Sequence, residues 1–342
     1  MKEKLTIFSR GIIIMVGIPA ALYLGKAFLV TFCIGVILAL VLNPVMDWLM
    51  AKGFRKSLAV AASTFLLVLF FVGLAGLLWY QVSLVSQDWP QIQERSEKML
   101  TQAQEYVAEQ TGVSPDKQIS KAKDSVSKLS SQAAGFFGSF TSTLANFLLV
   151  FVYVVLLLSQ RHRVKKFLLM VSPDHKKGPV NKMMAEVCKT ASSYVWGMLK
   201  VITALAIVYA IGFSIGGVKY SILLAILAAL FSFLPYVGNV IGGGLAALLA
   251  VVSGEPSSFF IVAGVMIVAQ LLENYVLSPF VVGDSVQLNP FFSIVSIIVF
   301  STIWGLGGAI IAIPLTAIIR VLFKLSVHTQ PLVYLMSDDS DD

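Results

Sequence analysis

The stretch Ile261-Val-Ala-Gly-Val-Met-Ile-Val-Ala-Gln-Leu-Leu-Glu273-Asn-Tyr-Val-Leu277 decides how this chain is read. It is apolar and nearly long enough for a membrane helix, which needs about 20 residues at 1.5 Å rise. Yet it carries a carboxylate. An acid at hydrocarbon depth is disfavoured by about 3 kcal/mol or more, and such residues face a bundle interior, a cavity or an ion path. Between Val201 and Ile319 the other charged residues are Lys219, Glu255 and Asp284, each placed where the apolar pattern breaks. Glu273 is therefore the leading candidate to hold or release an ion or proton. The plainer reading is a structural carboxylate pinned by hydrogen bonds to a neighbouring hairpin. Gln270, one turn earlier, shares its helix face, and Asn274 is adjacent.

Outward from this segment, the composition supports the same class. Of 342 residues 57% are hydrophobic and 13% charged, against about 25% charged in an ordinary soluble domain. The apolar runs are continuous and do not alternate with period two, so helices rather than a barrel are expected. The expected fold is all-α: a polytopic helical membrane protein with about six spans and two broken or re-entrant hairpins. Spans are expected at 9–25, 27–46, 57–82, 143–160, 191–217 and 258–282. The first run is read as a retained span rather than a cleaved signal. Gly25-Lys26 is expected to turn the chain between the first two spans, and Asn43-Pro44 to loosen the end of the second.

Positive charge orders the loops. Segment 161–190 has eight Lys or Arg against Asp174 and Glu186, which places it in the cytoplasm. Segment 47–56 leans the same way, whereas 84–142 balances six basic residues against seven acidic ones and belongs outside. Counting passes puts both termini in the cytoplasm, with the inner membrane of a bacterium as the expected location. The divisions are 1–83 for the first spans, 84–142 for an extracytoplasmic helical insert and 143–190 for a span plus a basic amphipathic segment. The transport core follows at 191–325, and 326–342 is a cytoplasmic tail. In the insert, Trp89, Ile92, Met99 and Tyr106 space apolar residues through a polar helix, read as a solvated cap or an oligomer contact. Val180, Met183, Met184 and Val187 predict a helix lying against the membrane surface.

Two runs are interrupted. Run 220–252 breaks at Pro235, Tyr236, Gly238 and Asn239, and run 291–322 breaks at Trp304, Gly305, Gly307 and Gly308, with Pro314 beyond. Pro removes a backbone donor and Gly permits tight reversal. Each arm of the first run is about 22 Å long at 14 or 15 residues, short of the roughly 30 Å core. Each run follows a single span, and those spans cross in opposite directions, which describes an inverted repeat of span plus hairpin. Secondary transporters are often built so, with broken helices offering partial charges to ions or polar solutes. The alternative is two ordinary spans per run, with Pro and Gly easing their packing.

The motifs Phe233-Leu-Pro-Tyr-Val-Gly238, Gln270-Leu-Leu-Glu-Asn-Tyr-Val-Leu-Ser-Pro279, Val282-Gly283 with Leu288-Asn-Pro290, and Trp304-Gly-Leu-Gly-Gly-Ala-Ile-Ile-Ala-Ile-Pro-Leu315 resemble those of the autoinducer-2 exporter family of predicted permeases. The resemblance covers essentially the whole chain. It implies a homo-oligomeric carrier that exports a small polar signal or, in some members, exchanges sodium for protons. At Asn289 many relatives carry His, so a titrating role there is not implied for this chain. Pro279, Gly283, Pro290, Gly307, Gly308 and Pro314, like Asn43 and Pro44, are expected to act as hinges.

Expected partners are thus the lipid bilayer, a small polar solute and Na+ or H+. A cofactor, a metal site and nucleic-acid binding are not expected: the basic residues flank spans, and His162, His175 and His328 are scattered. No HExxH, intramembrane Asp pair or phosphate loop points to an enzyme. A non-transporting scaffold working through the outside helices is the remaining alternative.

Overall fold

The computed structural model describes residues 17, 19–111, 147–233, 238–253, 257–282 and 287–338. Among these, helices dominate and no strand occurs. The helices are α1 (Lys26–Ala51), α2 (Lys56–Gln87), α3 (Trp89–Thr111), α4 (Phe147–Val171), α5 (Lys177–Ile215), α6 (Ser221–Phe231), α7 (Gly238–Ser253), α8 (Ser258–Leu272), α9 (Pro290–Phe323) and α10 (Gln330–Met336). Six segments among the described residues are long and apolar enough to cross a membrane: α1, α2, α4, Asp174–Ile215, Ser258–Leu277 and α9. The protein is a polytopic helical membrane protein. The chain divides into two compact units, one of residues 1–69, 149–200 and 278–342, the other of residues 70–148 and 201–277.

In the first unit α1 is the central helix, apolar on two faces. Ala39, Leu42, Met46 and Leu49 pack with Ala59 and Val60 of α2 and with Val150, Val154 and Leu158 of α4. Ile37 and Val41, on another face, pack with Tyr194, Val195 and Ile311. A helix that is hydrophobic on more than one side belongs in an interior. Most of the expected first span lies outside the described residues. At its end, Gly25 N–H donates to Ala21 O and Leu29 N–H to Gly25 O, both at 2.9 Å. Helical hydrogen bonds therefore bracket Gly25, and the chain bends there rather than turning back.

The second expected span, 27–46, continues farther than drawn, because α1 runs through Pro44 to Ala51. Pro has no N–H for the carbonyl four residues earlier, here that of Leu40. The Cys188 thiol lies 3.8 Å from that oxygen, and the Trp196 indole donates to the next carbonyl, Val41, at 3.3 Å. Neighbouring side chains thus stand in for the missing rung. Asn43 is an anchor rather than a hinge. Its carbonyl accepts from Arg161, which also donates to Asp47 at 2.7 Å, and its amide lies 3.3 Å from Cys188 Sγ.

The predicted surface helix around Val180 is instead the start of α5, a 39-residue helix about 58 Å long. Val180 and Met183 pack on Val321 near the end of α9, with Leu169, Met184, Val187 and Leu325 around them. Lys324 pairs with Glu186 at 2.7 Å. Apolar periodicity alone cannot tell a membrane surface from a protein one.

By length alone α9, at 34 residues, would cross a bilayer. Its path is not straight. Gly305 has φ 66 and ψ −148, outside the helical region. A Cβ on Gly308 would overlap the Phe300 carbonyl oxygen and lie 2.7 Å from Trp304 Cβ, whereas eight residues of straight helix span about 12 Å. Phe292, near the start, packs with Ile313 and Ala317 in one cluster. The two arms therefore lie side by side and run opposite ways, with Trp304 and Gly305 at the tip. This is the second expected hairpin. Asn289 caps its entry, its side chain accepting from Phe291 N–H at 2.9 Å, and Pro290 occupies the first turn. The tail segment α10 folds back on this entry. Asn289 N–H donates to Met336 O at 2.9 Å, and buried Arg320 donates to Ser337 and to Gln287.

In the second unit, α6 and α7 form the other hairpin, with 11 and 16 residues rather than equal arms, or about 16 and 24 Å. Gly242 lets them touch: a Cβ there would lie 2.9 Å from Ala228 Cα. Helix α8 packs against α7 and approaches α5 where Gly212 faces Val265 and Gly216 faces Ile261. Small residues four apart permit such close helix contacts in a bilayer, where hydrophobic burial supplies little drive. Helix α3, expected as a solvated cap or oligomer contact, packs on α7 within this unit.

Candidate functional site

Two polar side chains from separate helices pair in the second unit, with an acid within electrostatic reach. Tyr209 of α5 is fully buried and stacks on Phe213 at 5.7 Å. Its phenol is hydrogen-bonded to Ser232, the residue that closes α6. The Ser232 hydroxyl also donates to Ala228 O at 3.1 Å. The half-buried Glu273 carboxylate lies within electrostatic reach of the same phenol.

The helix itself changes at this acid. From Glu273 to Val282 the backbone is a π-helix, a wider turn that is uncommon and often marks functional positions. Pro279 lies within it. Gln270 donates to Asn274 Oδ1 at 2.9 Å, so these two predicted residues do come together, as a pair beside the acid. Asn274 is exposed, and Gln270 is half-buried.

The other predicted residues fare differently. Pro235 and Tyr236 lie outside the described residues, as does Gly283. Gly238 and Asn239 begin α7, and only their backbone is described. Trp304 and Gly305 form the tip of the α9 hairpin in the first unit. There the indole donates to Leu22 O at 3.0 Å. Gly307 approaches Val30, and Pro314 is buried in the second arm. Sequence reading missed Tyr209 and Ser232. Tyr209 sits in an apolar run where an aromatic is ordinary, although Ser232 directly before the break was a visible signal. Among the described residues no group of three or more His, Cys, Asp or Glu could hold a metal ion.

At the other end of the same hairpin lies a charged clamp. Asp88, between α2 and α3, accepts from Tyr220 Oη at 2.5 Å and pairs with Lys219 at 2.8 Å. Tyr220 is held at φ 60, a left-handed conformation that side chains rarely adopt. The Lys219 and Tyr220 hydrogen bonds hold the Asp88 carboxyl below its ordinary range, and Asp88 in turn raises Lys219. A depressed acid contributes stability above its unfolded pKa and loses it as pH falls through the folded value. The raised lysine contributes below its unfolded pKa and loses it as pH rises through the folded one. The clamp thus holds across neutral pH and opens only in acid below the usual carboxylate range or in strong base. In Asp88→Asn, backbone hydrogen exchange over residues 217–222 is expected to rise at neutral pH. The same variant should lack the wild-type increase below about pH 4. An unchanged exchange profile would remove the clamp from consideration.

Six membrane-length apolar segments, with one helical hairpin in each unit and an acid in the same unit as the first, define a multi-span membrane protein of a kind seen among transporters. The family profile described as AI-2E family transporter matches residues 12–327, and the chain belongs to that family. It is 24% identical over 311 residues to "Putative transport protein YrrI" of Bacillus subtilis (strain 168), covering 87% of this chain and 86% of that one. A similarly named protein of Mycobacterium tuberculosis, MT0215, is 24% identical over 344 residues, covering 97% and 93%. YhhT of Escherichia coli (strain K12), named in the same way, is 21% identical over 332 residues, covering 95% and 91%.

Proposed function

We propose that this family member is a secondary carrier that exports a small polar solute, an autoinducer-2-like signal or metabolite, by alternating access. Glu273 is its coupling and binding residue, and Gln270 and Asn274 supply neighbouring amide groups. The observation that carries this reading is the Tyr209–Ser232 hydrogen bond at the end of α6, with the Glu273 carboxylate within electrostatic reach of the phenol. A carboxylate beside a buried phenol can exchange a proton, and a broken helix end offers backbone dipoles to a polar guest. The basic segments 47–56 and 161–190 then face the cytoplasm of a bacterial inner membrane, and α10 with them. Assembly as a homo-oligomer and action through transport rather than catalysis are part of the same proposal. Exchange of Na+ for H+ at the same carboxylate is the second reading, favoured by the shortage of other charge in that part of the chain.

Purified protein in proteoliposomes separates the two. A carrier of organic solutes gives labelled-solute counterflow without an imposed sodium gradient. An antiporter moves internal pH when sodium is added and gives no counterflow. Absence of both activities from correctly inserted protein would leave the scaffold reading in place.

A further inference from the structure

The last part of α4 extends beyond Arg161, the residue that ties the helix to α1. Val164, Phe167, Leu168 and Val171 recur there at i, i+3, i+4 and i+7, which puts them on one face. All four are exposed, Phe167 to 63% and Val171 to 68%. The side of α4 turned toward the protein is occupied by other residues: Arg161 reaches Asn43 and Asp47, and Leu169 packs with Val180, Met183 and Val321. At about 100° per residue, Arg163 borders one edge of the apolar stripe and Lys165 the other, with Lys166 farther round. All three are exposed. No acid occurs between Arg161 and Pro173, and Asp174, which follows, is paired with Lys177 at 2.6 Å.

We propose that residues 162–171 form a docking site for anionic phospholipid. Arg163, Lys165 and Lys166 engage the headgroup phosphate, and the stripe takes up the adjoining acyl chain. An apolar face edged with cations is the pattern of a helix lying in the membrane interface. Charge decides the occupant. A second copy seated through this face would set cation against cation, and a zwitterionic lipid offers no net charge in return. A phosphate-bearing anionic lipid complements both the edges and the stripe. The surface belongs to the first unit and does not depend on the role given to Glu273.

The test is native mass spectrometry of the full-length protein, released from detergent after addition of phosphatidylglycerol or phosphatidylcholine. Wild type is expected to retain phosphatidylglycerol in preference. The variant R163Q/K165Q/K166Q should bind it roughly a hundredfold more weakly, at about 1 kcal/mol for each basic side chain. Phe167→Ser with Val171→Ser should weaken retention of both lipids. All five positions are exposed, and a melting curve for each variant checks that the fold is kept. The proposal is overturned if the triple variant retains phosphatidylglycerol like wild type, or if wild type holds both lipids equally. A wild-type dimer that the triple variant cannot form would also overturn it, by assigning the face to a protein partner.

Discussion

Glu273→Gln is expected to abolish pH-dependent flux, bringing proteoliposome transport to the protein-free background at every pH tested. The amide keeps the size of the side chain and much of its hydrogen-bonding capacity, so the fold should survive. Melting temperature and elution volume close to wild type would separate a lost function from a lost structure. What the substitution removes is the exchangeable charge. Glu273 is half-buried, and its carboxylate acts on the buried Tyr209 phenol. That phenol in turn bonds Ser232 at the end of the hairpin arm. Tyr209→Phe should lower flux as well, with a modest stability loss of about 1–2 kcal/mol for the hydrogen bond left incomplete. If Glu273→Gln transports with the wild-type pH profile, the site assignment fails for both solute export and ion exchange.

The largest stability effect is expected at Gly308. Its missing side chain makes room for the opposite arm of α9, and an added methyl would overlap the Phe300 carbonyl oxygen. A backbone atom cannot move aside as a side-chain tip can. Gly308→Ala should therefore reach the upper end of overpacking penalties, about 3 kcal/mol or more. Thermal unfolding in detergent would show it as a melting temperature well below wild type, or as failure to recover folded protein. Two controls make the result specific. Gly244→Ala adds a methyl that meets nothing within 4 Å in a helix where Ala is favoured by about 1 kcal/mol. It should be neutral or stabilising. Gly307→Ala would meet only the Val30 side chain, at 2.8 Å, and should lie between. Equal behaviour of all three variants would mean that the arms of α9 do not touch.

Much of this architecture was legible in the residues because breaks in apolar runs have local causes. Gly305 and the glycines after it marked the turn of α9, and the hairpin stands there. Gly238 likewise marked the start of α7. Partnerships set by the tertiary fold were much less visible. Nothing local tells that Tyr209 reaches Ser232, or that Asn43 and Asp47 share Arg161 across more than a hundred residues. Pro44 read as a loosened span end because its missing N–H is a local fact, whereas the thiol and indole beside it come from α5. Gly25 misled in the opposite direction. Glycine permits a reversal without requiring one, and the hydrogen bonds on either side keep the chain going. The apolar face around Val180 was correctly placed on a helix, but its partner was Val321 rather than lipid. In each case the period was right and the neighbour was not readable.

Gly305 carries a meaning for how the polypeptide is threaded. With an ordinary helical residue there, the 34 residues of α9 could pass directly from one leaflet to the other, at about 50 Å of uninterrupted rod. Arg320 and α10 would then lie at the far end of that rod instead of beside the entry of α9. One achiral position thus sets the course of everything that follows it in the chain, and a cysteine placed after Phe323, labelled from each side in turn, is expected to change its accessible side in Gly305→Ala.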